Sequence, residues 1–277
     1  MEPFRYRIPF RAQGIVPGAH PGTQRGPGME FRGYTPLPSA PDPRRFDVAA
    51  SLRDPLGRVM VRVYTQRGAV PIRVLADVSA SMGFSGRSRK MDLLADFTES
   101  LALAAHRAGD PLAFIGCDGD VREDLQIGPT RSKAAGPLLA AKLRKVAPTG
   151  RSADGLHRAA RELSPARSLV FLVSDFHFPL ERLADLLAAL ARHAVVPVVL
   201  WDSAEGTPPR YGIARLLDPE TGRQRMLLLR PALARRLEQA VAARADALRA
   251  CCARFGAAPL FIVDRFDADA VTRYFYG

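Results

Sequence analysis

Val70-Pro71-Ile72-Arg73-Val74-Leu75-Ala76-Asp77-Val78-Ser79-Ala80-Ser81-Met82 is the stretch whose reading decides the fold. Its first seven residues are short in extent, mostly apolar and rich in β-branched side chains. That composition suits a strand buried on both faces. The strand stops at an acid, Asp77, and a polar loop leads into residues 90–108. There Met91, Leu94, Phe97, Leu101 and Ala105 recur on one helical stripe. Working outward, residues 111–117, 168–173 and 195–201 are further apolar strands, and residues 136–146, 153–163 and 180–193 have helical patterns. Strands alternating with helices predict an α/β, Rossmann-like fold: a central, mostly parallel sheet with helices on both faces. In such sheets ligands gather beyond the carboxyl ends of the strands, near the switch in strand order. Two of these strands end in acid, at Asp77 and at Ser174-Asp175.

Around this core, over residues 69–205, the chain carries two flanks. Residues 1–68 are expected to form an arm packed on the core. Residues 1–45 are rich in Gly, Pro and Arg, with turn signals at Pro17-Gly18, Pro21-Gly22 and Gly26-Pro27-Gly28. They predict an irregular segment that ends before a strand over residues 58–66. In that strand Val59, Val61 and Val63 lie on one face and Arg58, Met60 and Arg62 on the other. Residues 206–277 form a C-terminal extension. It comprises a hairpin of residues 213–217 and 224–229 around Asp218-Pro219-Glu220-Thr221-Gly222, a helix over 231–255, a strand over 260–263 and a helix over 267–275.

The 277 residues are 47% hydrophobic and 25% charged, enough to bury a large core and too apolar for global disorder. No apolar run is long enough to span a bilayer, and the first residues lack the apolar stretch of a secretory signal. Cys117, Cys251 and Cys252 have no metal-type spacing and predict a reducing, cytoplasmic setting. The formal charge of +12 does not make this a nucleic-acid binder, because the arginines are scattered. No basic block is interleaved with aromatic residues of the kind that stack on bases.

The loop after the first core strand carries the chemistry. Asp77, Ser79 and Ser81 place a carboxylate and two hydroxyls at alternating positions, which a tight loop turns toward one point. Hard cations prefer such oxygen ligands and keep several waters. An ion held by few carboxylates remains under-neutralised and accepts a further carboxylate from outside. Simpler roles exist for each group: Asp77 capping a turn, Ser79 and Ser81 satisfying loop amides, Asp175 capping the next helix.

The stretch Val74 to Met82 resembles the Asp-x-Ser-x-Ser metal-ion-dependent adhesion motif of von Willebrand A domains, and the predicted fold is the fold of that family. The resemblance implies a divalent cation, Mg2+ first with Mn2+ or Ca2+ as alternatives, bound by Asp77, Ser79 and Ser81. It also implies a hydroxyl from a second loop and an Asp from a third. In Ala147-Pro148-Thr149-Gly150-Arg151-Ser152-Ala153-Asp154 the family's Gly-Gly-Thr aligns with Gly150-Arg151-Ser152. Ser152 keeps the position, whereas Thr149 keeps the residue type at a shift of three. Val173-Ser174-Asp175-Phe176 matches the third element, with Asp175 on the metal directly or through water.

A narrower resemblance lies outside the motif. Asp42-Pro43-Arg44-Arg45-Phe46-Asp47 is similar to the Asp-x-Arg-x-Ile-Asp-Trp segment of a bacterial family whose genes neighbour MoxR-type AAA+ ATPases, with Val48 in place of the Trp. Ala108-Gly109-Asp110-Pro111 resembles that family's helix-ending turn. Tyr6-Arg7-Ile8-Pro9-Phe10-Arg11 and Pro17-Gly18-Ala19-His20 resemble its methanol-oxidation branch, implicated in maturing a periplasmic quinoprotein dehydrogenase. The implied partners are the ATPase, other von Willebrand A-like proteins and a client dehydrogenase. A simpler role for Arg44 and Asp47 is a surface ion pair, worth about 0–1 kcal/mol.

Catalysis is not expected. His20, His106, His157, His177 and His193 show no zinc-type spacing. His177 and Asp118 lie near the metal loop but suit structural or solvent-facing roles. No nucleophile elbow, no phosphate-cradling glycine loop and no activated cysteine is present. A haloacid-dehalogenase phosphatase needs a second Asp where this chain has Ser79. The alternative to a docking role is a metal-dependent phosphoester hydrolase using the same ion.

Overall fold

The computed structural model describes residues 2–13, 16–23, 25–40, 42–150, 152–207, 212–217, 224–229 and 231–277. The chain divides into two compact units, one built from Ile8–Val70 with Ala108–Asp110, the other from residues 2–7, Pro71–Arg107 and Pro111–Gly277.

The smaller unit contains β1 (Pro17–His20), β2 (Arg25–Pro36), α1 (Val48–Leu52) and β3 (Met60–Thr65). Val61 and Val63 of β3 are buried while Arg62 faces out, as the alternation predicts, but Val59 lies before the strand and is exposed. The arm is less irregular than its Pro-Gly pairs suggest, because β1 and β2 occupy much of it. The antiparallel β2–β3 ladder tolerates Gly26-Pro27-Gly28 because its register shifts between Arg25 and Glu30. Such a bulge leaves backbone groups out of the ladder, where a residue without an N–H does no harm. Asp47 caps α1 by accepting from Ala50 N at 2.9 Å. It pairs with Arg62, at 2.7 Å from Nε, and not with Arg44. His20 Nε2 lies 2.6 Å from Asp110 Oδ2, and Asp110 Oδ1 accepts from Val70 N at 2.8 Å.

The larger unit runs β4 (Ile72–Asp77), α2 (Lys90–Ala108), β5 (Leu112–Cys117), β6 (Val121–Thr130), α3 (Ala135–Leu143), α4 (Gly155–Glu162), β7 (Leu169–Ser174), α5 (Leu180–Ala189), β8 (Ala194–Trp201), β9 (Gly212–Leu217), β10 (Gln224–Leu229), α6 (Pro231–Ala253), β11 (Leu260–Val263) and α7 (Ala268–Tyr276). Six strands form one sheet in the order β11-β8-β7-β4-β5-β6, all parallel except β6. This is the mostly parallel α/β sheet that the alternating pattern predicts. Alternation along the strands feeds two layers. Leu75, Val170, Leu172 and Val199 pack with Leu156 of α4, Leu183 and Leu186 of α5 and Leu248 of α6. Phe171 points the other way, against Phe97 of α2 and Phe275 of α7, with ring centroids 5.4 and 6.3 Å apart. Phe4, from the first residues of the chain, stacks on Phe97 at 5.7 Å. The predicted stripe on α2 is buried from Met91 to Ala105.

β9 and β10 pair antiparallel; the turn expected around Asp218-Pro219-Glu220-Thr221-Gly222 lies outside the described residues. Among the described residues no helix is long and apolar enough to cross a membrane.

Candidate metal centre

β4 lies between β7 and β5, and the chain runs outward from it in both directions. The carboxyl ends of β4 and β7 therefore meet at the switch in strand order, where side chains from separate loops converge. Asp77 ends β4 and is buried. Its Oδ1 accepts from Ser79 N at 2.8 Å, an Asx-type turn that fixes the loop. Its Oδ2 accepts from Ser174 Oγ of β7 at 2.7 Å. A 3₁₀ turn over Ala80–Gly83 follows and brings Ser81 Oγ within 3.3 Å of Ser79 Oγ. The two hydroxyls thus share one side of the loop, as their alternate spacing predicts.

The second loop is stitched to the first through its backbone. Ala80 N donates to Gly150 O at 2.7 Å, and Ser79 and Gly150 form a parallel bridge. A Cβ at Gly150 would overlap Asp118 of the β5–β6 loop, so only glycine allows this approach. Ser152 is half-buried and its Oγ accepts weakly from Asp154 N at 3.5 Å, whereas Thr149 is exposed. Arg151 between them lies outside the described residues. Among the described residues, neither Ser152 nor Thr149 hydrogen-bonds to Asp77, Ser79 or Ser81. Asp118 is tied to Arg122 at 3.4 Å.

Asp175, one residue beyond β7, is also buried, but its surroundings differ. Lys90 Nζ donates to Asp175 Oδ2 at 2.8 Å and to Ser81 O at 3.3 Å, and it also pairs with Glu205. Lys90, the first residue of α2, is fully buried, and its ammonium lies 5.7 Å from the centre of the Phe84 ring. Glu205 also approaches His177 Nε2 at 3.3 Å. The His177 ring stacks parallel to Trp201 at 6.2 Å, and Trp201 Nε1 donates to Asp175 O at 2.8 Å. Phe176 sits in the left-handed region at φ 52°, a strained position for a bulky residue. Its carbonyl and that of Phe178 accept from Arg244 of α6. A cavity of about 500 Å3 opens beside His177, Trp201 and Glu205, walled by Leu237, Val241 and Arg244 of α6.

Electrostatics separates the two acids. Burial pushes the Asp77 carboxyl up to about 6, and the neighbouring charge of Asp175 adds to the effect. Burial acts on Asp175 in the same sense, but the Lys90 ammonium and His177 overcome it and hold Asp175 below the ordinary carboxylate value. Among the described residues one carboxylate has its counter-charge and the other has only neutral donors. Burial also pushes the Cys117 thiol up to about 12, which keeps it neutral and non-nucleophilic.

Sequence patterns did not single out Lys90 or Glu205, and they placed Ser174 in the third motif element without giving it a role. Lys90 looks like a solvated residue of a helix start, and its carboxylate partners lie on distant loops. Only the pairing of β4 with β7 exposes their role. Among the described residues no three His, Cys, Asp or Glu side chains cluster to hold a metal ion. A cation here would therefore draw on hydroxyl and water oxygens beside no more than two carboxylates. Those hard oxygens suit an ion of the Mg2+ type, so the donor set fits the group that the motif implies.

Fold and site define an α/β protein with a polar, charge-bearing cleft at the switch point of a mostly parallel sheet. The chain belongs to the family described as "Protein of unknown function DUF58", whose model matches residues 32–247. It is 45% identical over 104 residues to a Paracoccus denitrificans protein described as an uncharacterized protein in the moxR 3' region; the match takes in 37% of this chain and 99% of that one. An uncharacterized protein of Mycobacterium bovis is 27% identical over 250 residues, which are 86% of this chain and 76% of the relative. Among solved structures, an aerotolerance-related membrane protein of Bacteroides fragilis aligns with 75% of this chain and 97% of its own, at 12% identity and a TM-score of 0.44.

Proposed function

We propose that this chain is a non-catalytic interaction module of the von Willebrand A type. In this proposal one divalent cation, Mg2+ in the first instance, is held by Asp77, Ser79 and Ser81 with a hydroxyl of the second loop, Ser152 or Thr149. Asp175 stands behind it, through water. The observation that carries this reading is the buried Asp77 carboxylate, which has no cationic partner among the described residues while two hydroxyls of the same loop sit 3.3 Å apart beside it. A buried anion without a counter-charge is costly, and a hard cation removes that cost. Once bound, such an ion would supply Lewis acidity and would take a carboxylate from outside as a further oxygen ligand. The protein's own groups orient it: Ser174 fixes Asp77, the Gly150 bridge fixes the second loop, and Lys90 fixes Asp175.

The partner we infer is a MoxR-type AAA+ ATPase. Support comes from the Paracoccus relative, whose description places it in the moxR 3' region, and from the Asp42–Asp47 and Ala108–Pro111 resemblances. ATP would then be consumed by that partner, and other von Willebrand A-like proteins would join the same assembly. A methanol dehydrogenase as client is the narrowest form of the proposal. It rests on the Tyr6–Arg11 and Pro17–His20 resemblances. A cytoplasmic location goes with it, supported by three buried free cysteines.

The test mixes the purified chain with the ATPase in Mg2+, in EDTA, and with Asp77→Ala in Mg2+. Loss of binding in the last two is the expected result. Equal binding in all three removes the docking role. Magnesium-dependent hydrolysis of a phosphoester that disappears with Asp77→Ala replaces it with the hydrolase.

A further inference from the structure

We propose that Lys90 is the built-in counter-cation of this site, a positioning residue that keeps Asp175 and Glu205 off a bound divalent ion, so that the ion has one protein carboxylate and takes its second from a partner. The inference rests on the metal reading above and deepens it.

Fully buried lysines are rare unless paired. An ammonium has three donors, and Lys90 directs them at Asp175 Oδ2, Glu205 and the Ser81 carbonyl. None is left for an outside ligand, so Lys90 is a fixed part of the cleft. Asp175 is charge-paired: its Oδ2 accepts from the Lys90 ammonium, and its Oδ1 accepts from His177 N at 3.2 Å. Among the described residues Asp77 has only neutral donors, the Ser79 N–H and the hydroxyls of Ser79 and Ser174. The three carboxylates are therefore not equivalent. Two share the ammonium, and the third stands beside Ser79 and Ser81.

That asymmetry sets what a divalent ion experiences. With Asp77 alone in contact, the ion keeps a positive charge, and a partner's Asp or Glu completes it. With Asp175 also free to bind, the charge around the ion would be cancelled from within, and the attraction for an outside carboxylate would fall. The Ser81 carbonyl is part of the same device, because Lys90 ties the metal loop to the loop carrying Asp175.

The experiment uses the full chain with Mn2+ as probe, by titration and by relaxation of water protons on the bound ion, followed by acetate as a simple carboxylate. No Mn2+ binding by the wild-type chain overturns the metal reading itself. Given binding, Lys90→Met frees Asp175: Mn2+ binds about tenfold tighter, a bound water is lost and acetate no longer displaces water. Lys90→Arg keeps the charge and behaves like wild type. Unchanged or weaker Mn2+ binding with wild-type water relaxation in a folded Lys90→Met overturns the proposal. Should that variant fail to fold by circular dichroism, Asp175→Asn decides. Its Mn2+ affinity falls less than about fivefold, against about a hundredfold for Asp77→Asn. Equal losses in the two overturn the proposal.

Discussion

Asp47 and Asp77 are both aspartates that lead into a turn, and the two units treat them in opposite ways. Asp47 is surrounded by donors. The Ala50 N–H and the Arg62 guanidinium hold its carboxyl below the ordinary value. Asp77 lies in the interior with neutral donors and another acid for a neighbour, and its carboxyl is pushed up to about 6. Asp47 is finished by the chain itself, while Asp77 is left in need of positive charge. A carboxylate whose needs are met locally supports the fold, and one left without a counter-charge is where the proposed cation would sit.

Lys90→Ala gives the largest expected effect. It leaves Asp175 in the same unmet condition as Asp77 and costs about 3–5 kcal/mol of stability in urea unfolding. A loss below about 1 kcal/mol would show that the ammonium is dispensable and erase the distinction. Asp77→Asn acts in the other direction. Without metal, at pH 7, it stabilises the protein on the order of 1–3 kcal/mol by removing the unmatched charge, while it abolishes tight Mn2+ binding.

The pH dependence sharpens the contrast. Below about pH 4 the Asp77 carboxyl is neutral in the folded and unfolded chains alike. Between about pH 4 and 6 the folded chain retains a proton that the unfolded chain releases, so metal-free stability falls as pH rises and then levels off. Asp47 behaves inversely: its contribution is present above the ordinary carboxylate value and lost as pH falls below it. Metal-free unfolding from pH 3.5 to 7 in wild type and Asp77→Asn checks this, and the variant should lack the decline. Ser174→Ala removes the hydroxyl that donates to Asp77 and costs about 1–2 kcal/mol. Asp47→Ala has the smallest effect, a melting temperature lower by a few degrees with Mn2+ binding unchanged.

The sheet was legible in sequence because β4, β7 and β8 are continuous apolar runs that end in recognisable loops. β6 was not. Val121–Thr130 buries only Leu125 and is otherwise polar or half-exposed, as an antiparallel edge strand can be. β1 and β2 were hidden by Pro-Gly pairs, which signal turns unless a shifted ladder accommodates them. In the site, Asp77, Ser79 and Ser81 are adjacent in sequence and were singled out together. Lys90 and Glu205 meet Asp175 only because the fold brings a helix start and a distant loop to the end of β7, and no local pattern encodes that meeting.

Gly150 has a consequence for how the cleft responds to change. Its carbonyl is bound to Ala80, and its Cα faces Asp118 with no room for a methyl group. Gly155, a few residues on, donates to the Asp118 carbonyl at 2.9 Å. The loops after β4 and β5 and the one before α4 are therefore joined main chain to main chain, so their spacing does not depend on which hydroxyl the middle loop carries. Exchange of Ser152 for Thr or Ala alters the lining of the mouth but not its frame, whereas a single methyl at position 150 would pry all three loops apart.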